Sequence, residues 1–123
     1  LGKRKKGDVI LWGDGLQKRE LVFVEDFVKT LNFLEKKQLV GLYNIGSGKD
    51  FEIKFFAELI SSIVGYDKNL IQYDTSKYVG AKSKCLNVDK LLKLNPKYVA
   101  EQTDLKVGLK SVIKWFEDTY FKN

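Results

Sequence analysis

The chain has 123 residues, of which 44% are hydrophobic, 31% charged and 13% aromatic, a composition typical of one folded domain with its own core. It has no histidine and one cysteine, Cys85, which excludes histidine-dependent catalytic triads, histidine-bound metals, zinc ribbons and an internal disulfide. The net charge is +6, but without the run Lys3, Arg4, Lys5 and Lys6 the balance is 18 cations against 16 anions, or +2.

The basic run is interpreted as a solvated loop, with contact to phosphate or RNA as the alternative. No stretch of 18 apolar residues predicts a membrane span, and no apolar signal core follows the basic start, so we expect a cytoplasmic protein. The chain contains no Met and starts at Leu1. We therefore expect a fragment, with positions 1–8 as a basic leader and 9–123 as the folded domain.

The first half of the chain predicts a strand over 9–12, a glycine turn over 13–15 and a second strand over 19–24. A helix over 24–34 and a third strand over 42–45 are expected to follow. The helix carries Glu25 and Asp26 in its first turn, where a helix N-terminus favours negative charge. The third strand is followed by the turn Gly46-Ser47-Gly48.

The second half predicts a helix over 53–64, a strand over 70–73 and a polar loop over 74–84. Two further helices are expected over 88–94 and 104–120. Gly65 is placed to end the first of these helices, and Asn95-Pro96 stops the next. The pair Thr103-Asp104 is expected to cap the last helix, whose expected inner face is Leu105, Leu109, Val112, Ile113, Phe116 and Tyr120. The fold class is therefore a small mixed α/β domain with short strands and about four helices.

Local motifs alone point to no catalytic centre. Gly46-Ser47-Gly48 lacks the third glycine of a dinucleotide fingerprint and the Lys-Ser/Thr of a P-loop, so it is interpreted as a turn. Cys85 has no histidine partner and is expected to be a small buried side chain rather than a nucleophile. No residue set predicts a metal site.

Several segments, taken together, resemble the C-terminal part of the extended short-chain dehydrogenase/reductases, and in particular the GDP-L-fucose synthase group. These segments are 12–15, 19–26, 43–48, 53–66, 74–77 and 84–88. They are similar in order and spacing to the family's WGDG … REFLHVDD, NVGTG and DTSKPDGTPRKLLDV stretches, and the terminal helix with Trp115-Phe116 matches the family's ending. The resemblance covers about residues 9 to 120.

The resemblance implies a two-domain, NADP-dependent enzyme that acts on a GDP-4-keto-6-deoxy sugar by epimerisation and hydride reduction. Its Rossmann domain, which binds NADP(H) and holds the catalytic Ser, Tyr and Lys, is absent from this sequence. No Tyr-x-x-x-Lys motif lies in a suitable context here. The chain is thus expected to be the substrate-binding domain, inactive alone and without its own cofactor. The full-length protein is expected to be a homodimer and this piece a monomer, with no nucleic-acid or membrane partner.

Four residues are candidates for binding the nucleotide sugar. A diphosphate favours Arg or Lys, and a base or ribose favours an aromatic wall. Trp12 and Arg19 flank one glycine turn, and the matching family residues contact the GDP-sugar; a core aromatic and a surface ion pair are the alternatives. Lys82 and Lys84 lie in a polar segment that is interpreted as either a phosphate lid or a solvated loop.

The sequence departs from the family at two loop positions. Val79 replaces an acidic residue and Ser83 replaces an arginine. Val79 cannot accept hydrogen bonds from a sugar or base, so a reductase or epimerase for another activated sugar, such as a GDP-6-deoxy-heptose, stays open. A second class of function, a basic module that binds RNA or anionic surfaces, is the further alternative.

Overall fold

The computed structural model describes residues 8–121, so the basic run at positions 3–6 and nearly all of the expected leader lie outside the described residues. The described strands and helices are β1 (Val9–Trp12), β2 (Lys18–Glu20), α1 (Val24–Lys36), β3 (Asp50–Glu52), α2 (Ile53–Val64), β4 (Ile71–Asp74), β5 (Ser83–Lys84), α3 (Asp89–Leu94) and α4 (Leu105–Tyr120). Four helices and short strands in two small sheets confirm the expected mixed α/β fold.

The chain forms two units, and the first combines the residues up to Arg19 with Asp50–Lys84. In this unit β1 pairs with β4 in a parallel two-stranded sheet, and the other sheet has the order β3-β2-β5. Helix α2 buries Phe56, whose ring meets those of Phe51 and Phe55 at centroid distances of 5.9 and 6.1 Å. This aromatic cluster fixes the start of α2 close to β3.

The second unit combines Glu20–Lys49 with the chain from Cys85 onward, and it holds α1, α3 and α4. Its buried apolar centre is formed by Val88, Leu91 and Tyr98. Five partly buried residues pack against that centre: Leu34, Tyr43, Ile45, Leu92 and Val99. The unit therefore has a small core at the short helix α3.

The predicted helix ends agree with the structure. Gly65 ends α2 in the left-handed conformation, with φ of 66°, as a glycine with no Cβ allows. Helix α3 stops at Leu94, before Pro96. The Asp104 carboxylate accepts hydrogen bonds from the amides of Lys106 and Val107, at 3.0 and 3.2 Å, and so caps α4.

The predicted strand over 42–45 is wrong. The segment is irregular, because no neighbouring strand pairs with it among residues 8–121. Tyr43 and Ile45 pack against the small core, while Val40 and Leu42 are 96% and 80% exposed. Alternating apolar residues favour a strand only where a ladder partner exists.

Three smaller expectations need correction. The second strand ends at Glu20 rather than at position 24, and the expected polar loop 74–84 contains the short strand β5, which pairs with β2. The expected inner face of α4 is only partly covered, since Val112, Phe116 and Tyr120 are exposed. The helical period groups these residues on one side of the helix, but it does not determine whether that side is covered.

Within the described part of the chain, no helix is both long enough and apolar enough to cross a membrane.

Candidate functional site

Trp12 closes strand β1 and leaves most of its side chain in solvent, with 65% exposed. Its backbone is held in place because Trp12 is paired with Asp74 in the sheet, and the next amide, Gly13, donates to the Asp74 carbonyl at 2.8 Å. An exposed indole on a backbone held in this way offers a flat apolar face for another ring. The alternative interpretation of Trp12 as a core aromatic is wrong.

The glycine turn after Trp12 lies directly against the loop that follows β4. Gly13 has φ of 87°, in the left-handed region that favours glycine. A Cβ at Gly13 would collide with the side chains of Gln17 and Val79. Val79 is therefore in close contact with the backbone that carries Trp12.

Arg19 projects from β2 and donates hydrogen bonds to backbone carbonyls. Its Nη1 donates to the oxygens of Lys18 and Ala81, at 2.7 and 3.0 Å, and its Nη2 donates to the oxygen of Val79 at 3.3 Å. The guanidinium therefore bonds backbone carbonyls, and the ion pairs of residues 8–121 do not include the surface ion pair that was the alternative for Arg19. Val79 is thus the shared neighbour of the Trp12 turn and of Arg19.

The strand register brings two of the predicted cations together. Strands β2 and β5 are parallel, with Arg19 opposite Lys84 and Lys18 opposite Ser83. Opposite residues of adjacent strands point to the same face, about 4.8 Å apart in the backbone. Among residues 8–121 the recorded ion pairs include neither Arg19 nor Lys84. Two like charges so placed repel each other unless an anion lies between them.

Lys82 and Ser83 complete this part of the loop. The Lys82 carbonyl accepts the Lys18 amide at 2.7 Å, and its side chain is exposed. Ser83, where the resembled family has an arginine, donates to the Asp50 carboxylate at 2.6 Å. Because side chains alternate along a strand, this contact belongs to the face opposite Lys84.

The residues that sequence reasoning missed are the loop acceptors at Val79 and Ala81. Val79 was identified only as a departure from the family, whereas its carbonyl and its side chain both make the contacts described above. Gly80 between them has φ of 73°. A glycine inside a polar loop was the one available signal that the backbone turns sharply there.

The second unit contains a separate cavity of about 220 Å³. Its lining residues are Asp26, Lys29, Thr30, Phe33, Leu91, Asn95, Tyr98, Glu101 and Gln102. The Tyr98 hydroxyl donates to the Gly46 carbonyl at 2.8 Å, and burial raises the pKa of Tyr98. None of the four predicted binding residues lines this cavity.

Asp26 is one of the acidic residues that the sequence assigned to the start of α1. Its carboxylate is buried and accepts the Thr103 amide at 2.7 Å and the Lys29 ammonium at 3.5 Å. Burial alone would raise the pKa of Asp26, but the bonds from Thr103 and Lys29 outweigh it, so the pKa lies below its ordinary value. Asp26 thus joins the start of α1 to the segment before α4.

Cys85 is exposed, so the expectation of a buried side chain is wrong. Its sulfur lies 3.7 Å from the Glu20 carboxylate, which also accepts the amides of Gly48 and Leu86, at 2.7 and 3.1 Å. Glu20 therefore fixes the Gly46-Ser47-Gly48 turn. Within residues 8–121, no group of His, Cys, Asp and Glu side chains is arranged to hold a metal ion.

Comparison with known proteins gives one consistent result. Residues 2–46 match the NAD dependent epimerase/dehydratase family. The chain is 31% identical over 110 residues to a GDP-L-fucose synthase of Azorhizobium caulinodans, a match that spans 88% of this chain and 34% of that protein.

Two solved structures share the fold. A GDP-L-fucose synthetase from Naegleria fowleri bound to NADP is 22% identical, with a TM-score of 0.87 over 97% of this chain and 37% of its own. A GDP-mannoheptose C4 reductase from Campylobacter jejuni with NADP bound is 26% identical, with a TM-score of 0.73 over 91% and 35%. The chain thus spans about a third of the length of the relatives it matches.

Proposed function

We propose, because the chain belongs to the NAD dependent epimerase/dehydratase family, that it is the substrate-binding part of a GDP-L-fucose synthase-like, NADP-dependent nucleotide-sugar epimerase/reductase. In this proposal positions 9–123 form the substrate-binding domain and positions 1–8 lead into it. The chain grips the nucleotide diphosphate, and a further part of the longer enzyme performs the hydride and proton transfers.

The observation that carries the proposal is the pair formed by Arg19 and Lys84. They lie opposite each other in a parallel sheet, and the ion pairs of the described residues leave both without a carboxylate partner. A diphosphate, with two negative charges and several acceptor oxygens, offsets their mutual repulsion and accepts hydrogen bonds from Lys84 and from the Arg19 donors that the backbone carbonyls do not use. Lys82 precedes Lys84 by two positions and adds a further exposed cation.

Trp12 supplies the apolar part of the same site. The loop residue Val79 touches the Gly13 turn through its side chain and Arg19 through its carbonyl, so the turn that follows Trp12 and the Arg19 guanidinium both contact one loop. Stacking of a base or ribose on an exposed indole needs no specific hydrogen bond. The hydrogen-bonding groups of the base therefore stay available to a further part of the enzyme.

The residues present do not fit NADP(H). The sequence has no Gly-x-Gly-x-x-Gly, and its two Tyr-x-x-x-Lys spacings, Tyr73 to Lys77 and Tyr78 to Lys82, fall on a strand and a loop. Burial, and then the charge of Glu58, raise the pKa of Tyr73, which is the wrong direction for a proton-transfer group at neutral pH. We therefore assign no step of the redox reaction to this chain.

One feature of the loop supports the alternative that the substrate is another activated sugar. Val79 stands where the resembled family has an acidic residue, and its side chain lies against Gly13. Because a valine side chain cannot accept hydrogen bonds, this position favours a substrate with fewer hydrogen-bond donors facing the loop. The similarity to a C. jejuni enzyme described as a GDP-mannoheptose C4 reductase makes a GDP-heptose the alternative substrate.

The proposal is tested by calorimetric titration of the chain with GDP, UDP and a short oligonucleotide. GDP is expected to bind, and Lys84→Gln to weaken its binding about 5- to 30-fold, because one charge-assisted contact contributes on the order of 1–2 kcal/mol. Lys110→Gln, which removes an exposed lysine of α4, is the matched control and is expected to bind GDP like the unmodified chain.

Two results would contradict the proposal. One is equal GDP affinity in the unmodified chain and in the Lys84→Gln variant. The other is oligonucleotide binding with a steep salt dependence and no response to GDP, which would favour a nucleic-acid-binding module.

A further inference from the structure

The half-buried carboxylate of Glu20, the last residue of β2, binds two separate segments of the chain. Its Oε1 accepts the Gly48 amide at 2.7 Å and the Ser47 hydroxyl at 3.3 Å, and its Oε2 accepts the Leu86 amide at 3.1 Å. The ion pairs recorded for residues 8–121 do not include Glu20. This charged group therefore serves backbone and hydroxyl donors rather than a cation.

The bond to Leu86 takes over where the pairing of β2 with β5 stops. Strand β5 has only two residues and ends at Lys84. Before the strand, the Lys18 amide donates to the Lys82 carbonyl at 2.7 Å, and after it the Leu86 amide donates to the Glu20 carboxylate. A bond from an amide to a carboxylate is stronger than one between neutral groups. The backbone that carries Lys84 is thus held on both sides.

The absence of a side chain at Gly46 leaves room for the carboxylate. A Cβ built on Gly46 would lie 2.7 and 2.8 Å from the two Glu20 oxygens. The φ of Gly46 is not among the positive glycine values of the chain, so an alanine there does not strain the backbone in the way a left-handed position would. A side chain at Gly46 would therefore displace the end of Glu20 and little else.

The charge of Glu20 acts against binding of an anion at the neighbouring cations. Glu20 directly follows Arg19, and side chains alternate along a strand, so the two side chains leave β2 on opposite sides. A negative charge at this spacing repels a diphosphate bound to Arg19 and Lys84. From charge alone, removing Glu20 should strengthen the binding of an anion.

We infer that Glu20 is a positioning residue of the proposed diphosphate site, because its bond to the Leu86 amide holds Lys84 opposite Arg19. This inference rests on the proposed function and deepens it. Glu20 does not touch the substrate in this account; it acts through Lys84. Removing its carboxylate therefore weakens the binding of an anion, in spite of the repulsion that is removed.

The test is calorimetric titration with inorganic pyrophosphate. Glu20→Gln removes the charge and replaces one acceptor oxygen by a donor, whereas Gly46→Ala displaces the carboxylate and changes no charge. Glu25→Gln, at an exposed position of α1, removes the same charge five residues further along the chain and is the matched control. Lys84→Gln and the double variant Glu20→Gln/Lys84→Gln complete the set.

Glu20→Gln and Gly46→Ala are each expected to weaken pyrophosphate binding about threefold or more, but by no more than Lys84→Gln does. The double variant is expected to bind like Lys84→Gln alone, because Glu20 acts through that lysine. Glu25→Gln is expected to bind at least as tightly as the unmodified chain. Hydrogen exchange of the Leu86 amide is expected to be faster in Glu20→Gln and in Gly46→Ala.

Two results would overturn the inference and leave the proposed function standing. One is unchanged or tighter pyrophosphate binding in Glu20→Gln and in Gly46→Ala. The other is a double variant that binds more weakly than Lys84→Gln, which would show a general effect on the fold. Absence of pyrophosphate binding to the unmodified chain would overturn the proposed function and the inference together. If Glu20→Gln does not fold, Gly46→Ala, alone and combined with Lys84→Gln, decides the matter.

Discussion

Gly13 and Gly80 both adopt a left-handed backbone, with φ of 87° and 73°, but their surroundings differ. A Cβ at Gly13 would collide with Gln17 and Val79, whereas a Cβ at Gly80 meets open space. Substitutions at the two positions therefore distinguish the cost of backbone strain from the cost of steric collision. Gly13 lies in the contact with Val79 that joins the Trp12 turn to the loop, and Gly80 directly follows Val79.

Gly80→Ala is expected to cost about 1–2 kcal/mol of the free energy of unfolding, from backbone strain alone. Gly13→Ala is expected to cost more, by at least about 1 kcal/mol, because Gln17 and Val79 must also move. Urea unfolding of both variants measures the difference. Equal losses in the two variants would show that Val79 does not press against the turn.

Single residues are enough to propose the members of the candidate site, but not their arrangement. The candidacy of Trp12 and Arg19 rests on their chemistry, their position beside a glycine turn and the family resemblance, and that of Lys84 rests on its charge in a polar segment. That Lys84 stands opposite Arg19 depends on the pairing of a two-residue strand, which no hydrophobic pattern specifies. Cys85, which directly follows that strand, shows the same limit, because its residue type favours burial and it is exposed.

At the scale of elements, Asp26 makes the connection between α1 and α4 dependent on pH. Because its pKa in the folded chain is lowered below 3.8, the folded state holds this proton less tightly than the unfolded state does. The stability that Asp26 contributes is therefore fully present above about pH 4 and is lost as the pH falls through the lowered pKa.

Asp26→Asn removes the charge and keeps the shape, so it is expected to lower the free energy of unfolding by about 1–3 kcal/mol near neutral pH. Below about pH 4 its stability is expected to fall less steeply than that of the unmodified chain. Urea unfolding across this range is the measurement. Parallel pH profiles of the two proteins would show that Asp26 is not the group responsible.

The N-terminus of α4 offers a separate test at the same scale. Asp104→Ala is expected to cost about 1 kcal/mol, because the amides of Lys106 and Val107 lose their acceptor. Asp118→Ala is the control near the other end of the helix, where the carboxylate meets exposed Lys114, and a smaller loss is expected. Thermal unfolding of both variants tests whether the cap is the stronger interaction.

The helices were predictable because each one carries its own spacing and end signals. Gly65, Pro96 and Asp104 stand where the helices stop or start in the structure. The strand expected over 42–45 failed because a strand also needs a partner, and none pairs with it in the described residues. Periodicity is a property of the segment, whereas pairing is a property of its surroundings.

At the scale of the whole molecule, two helices present apolar faces to solvent. Val24, Val28 and Leu31 are exposed on α1, and Val112 and Phe116 are exposed on α4. The chain spans about a third of the length of its relatives. The proposal that the chain is part of a longer enzyme accounts for these faces, because contiguous exposed apolar surface is typical of a contact with another domain.

The most direct test of the proposed function is the mapping of GDP on the ¹⁵N-labelled chain by chemical-shift changes. The account predicts that the largest changes fall on the Trp12 indole N–H, the Arg19 guanidinium and the amide of Lys84. Changes concentrated instead around the cavity of the second unit, at Asp26 and Tyr98, would contradict it, because GDP would then bind without the cation pair.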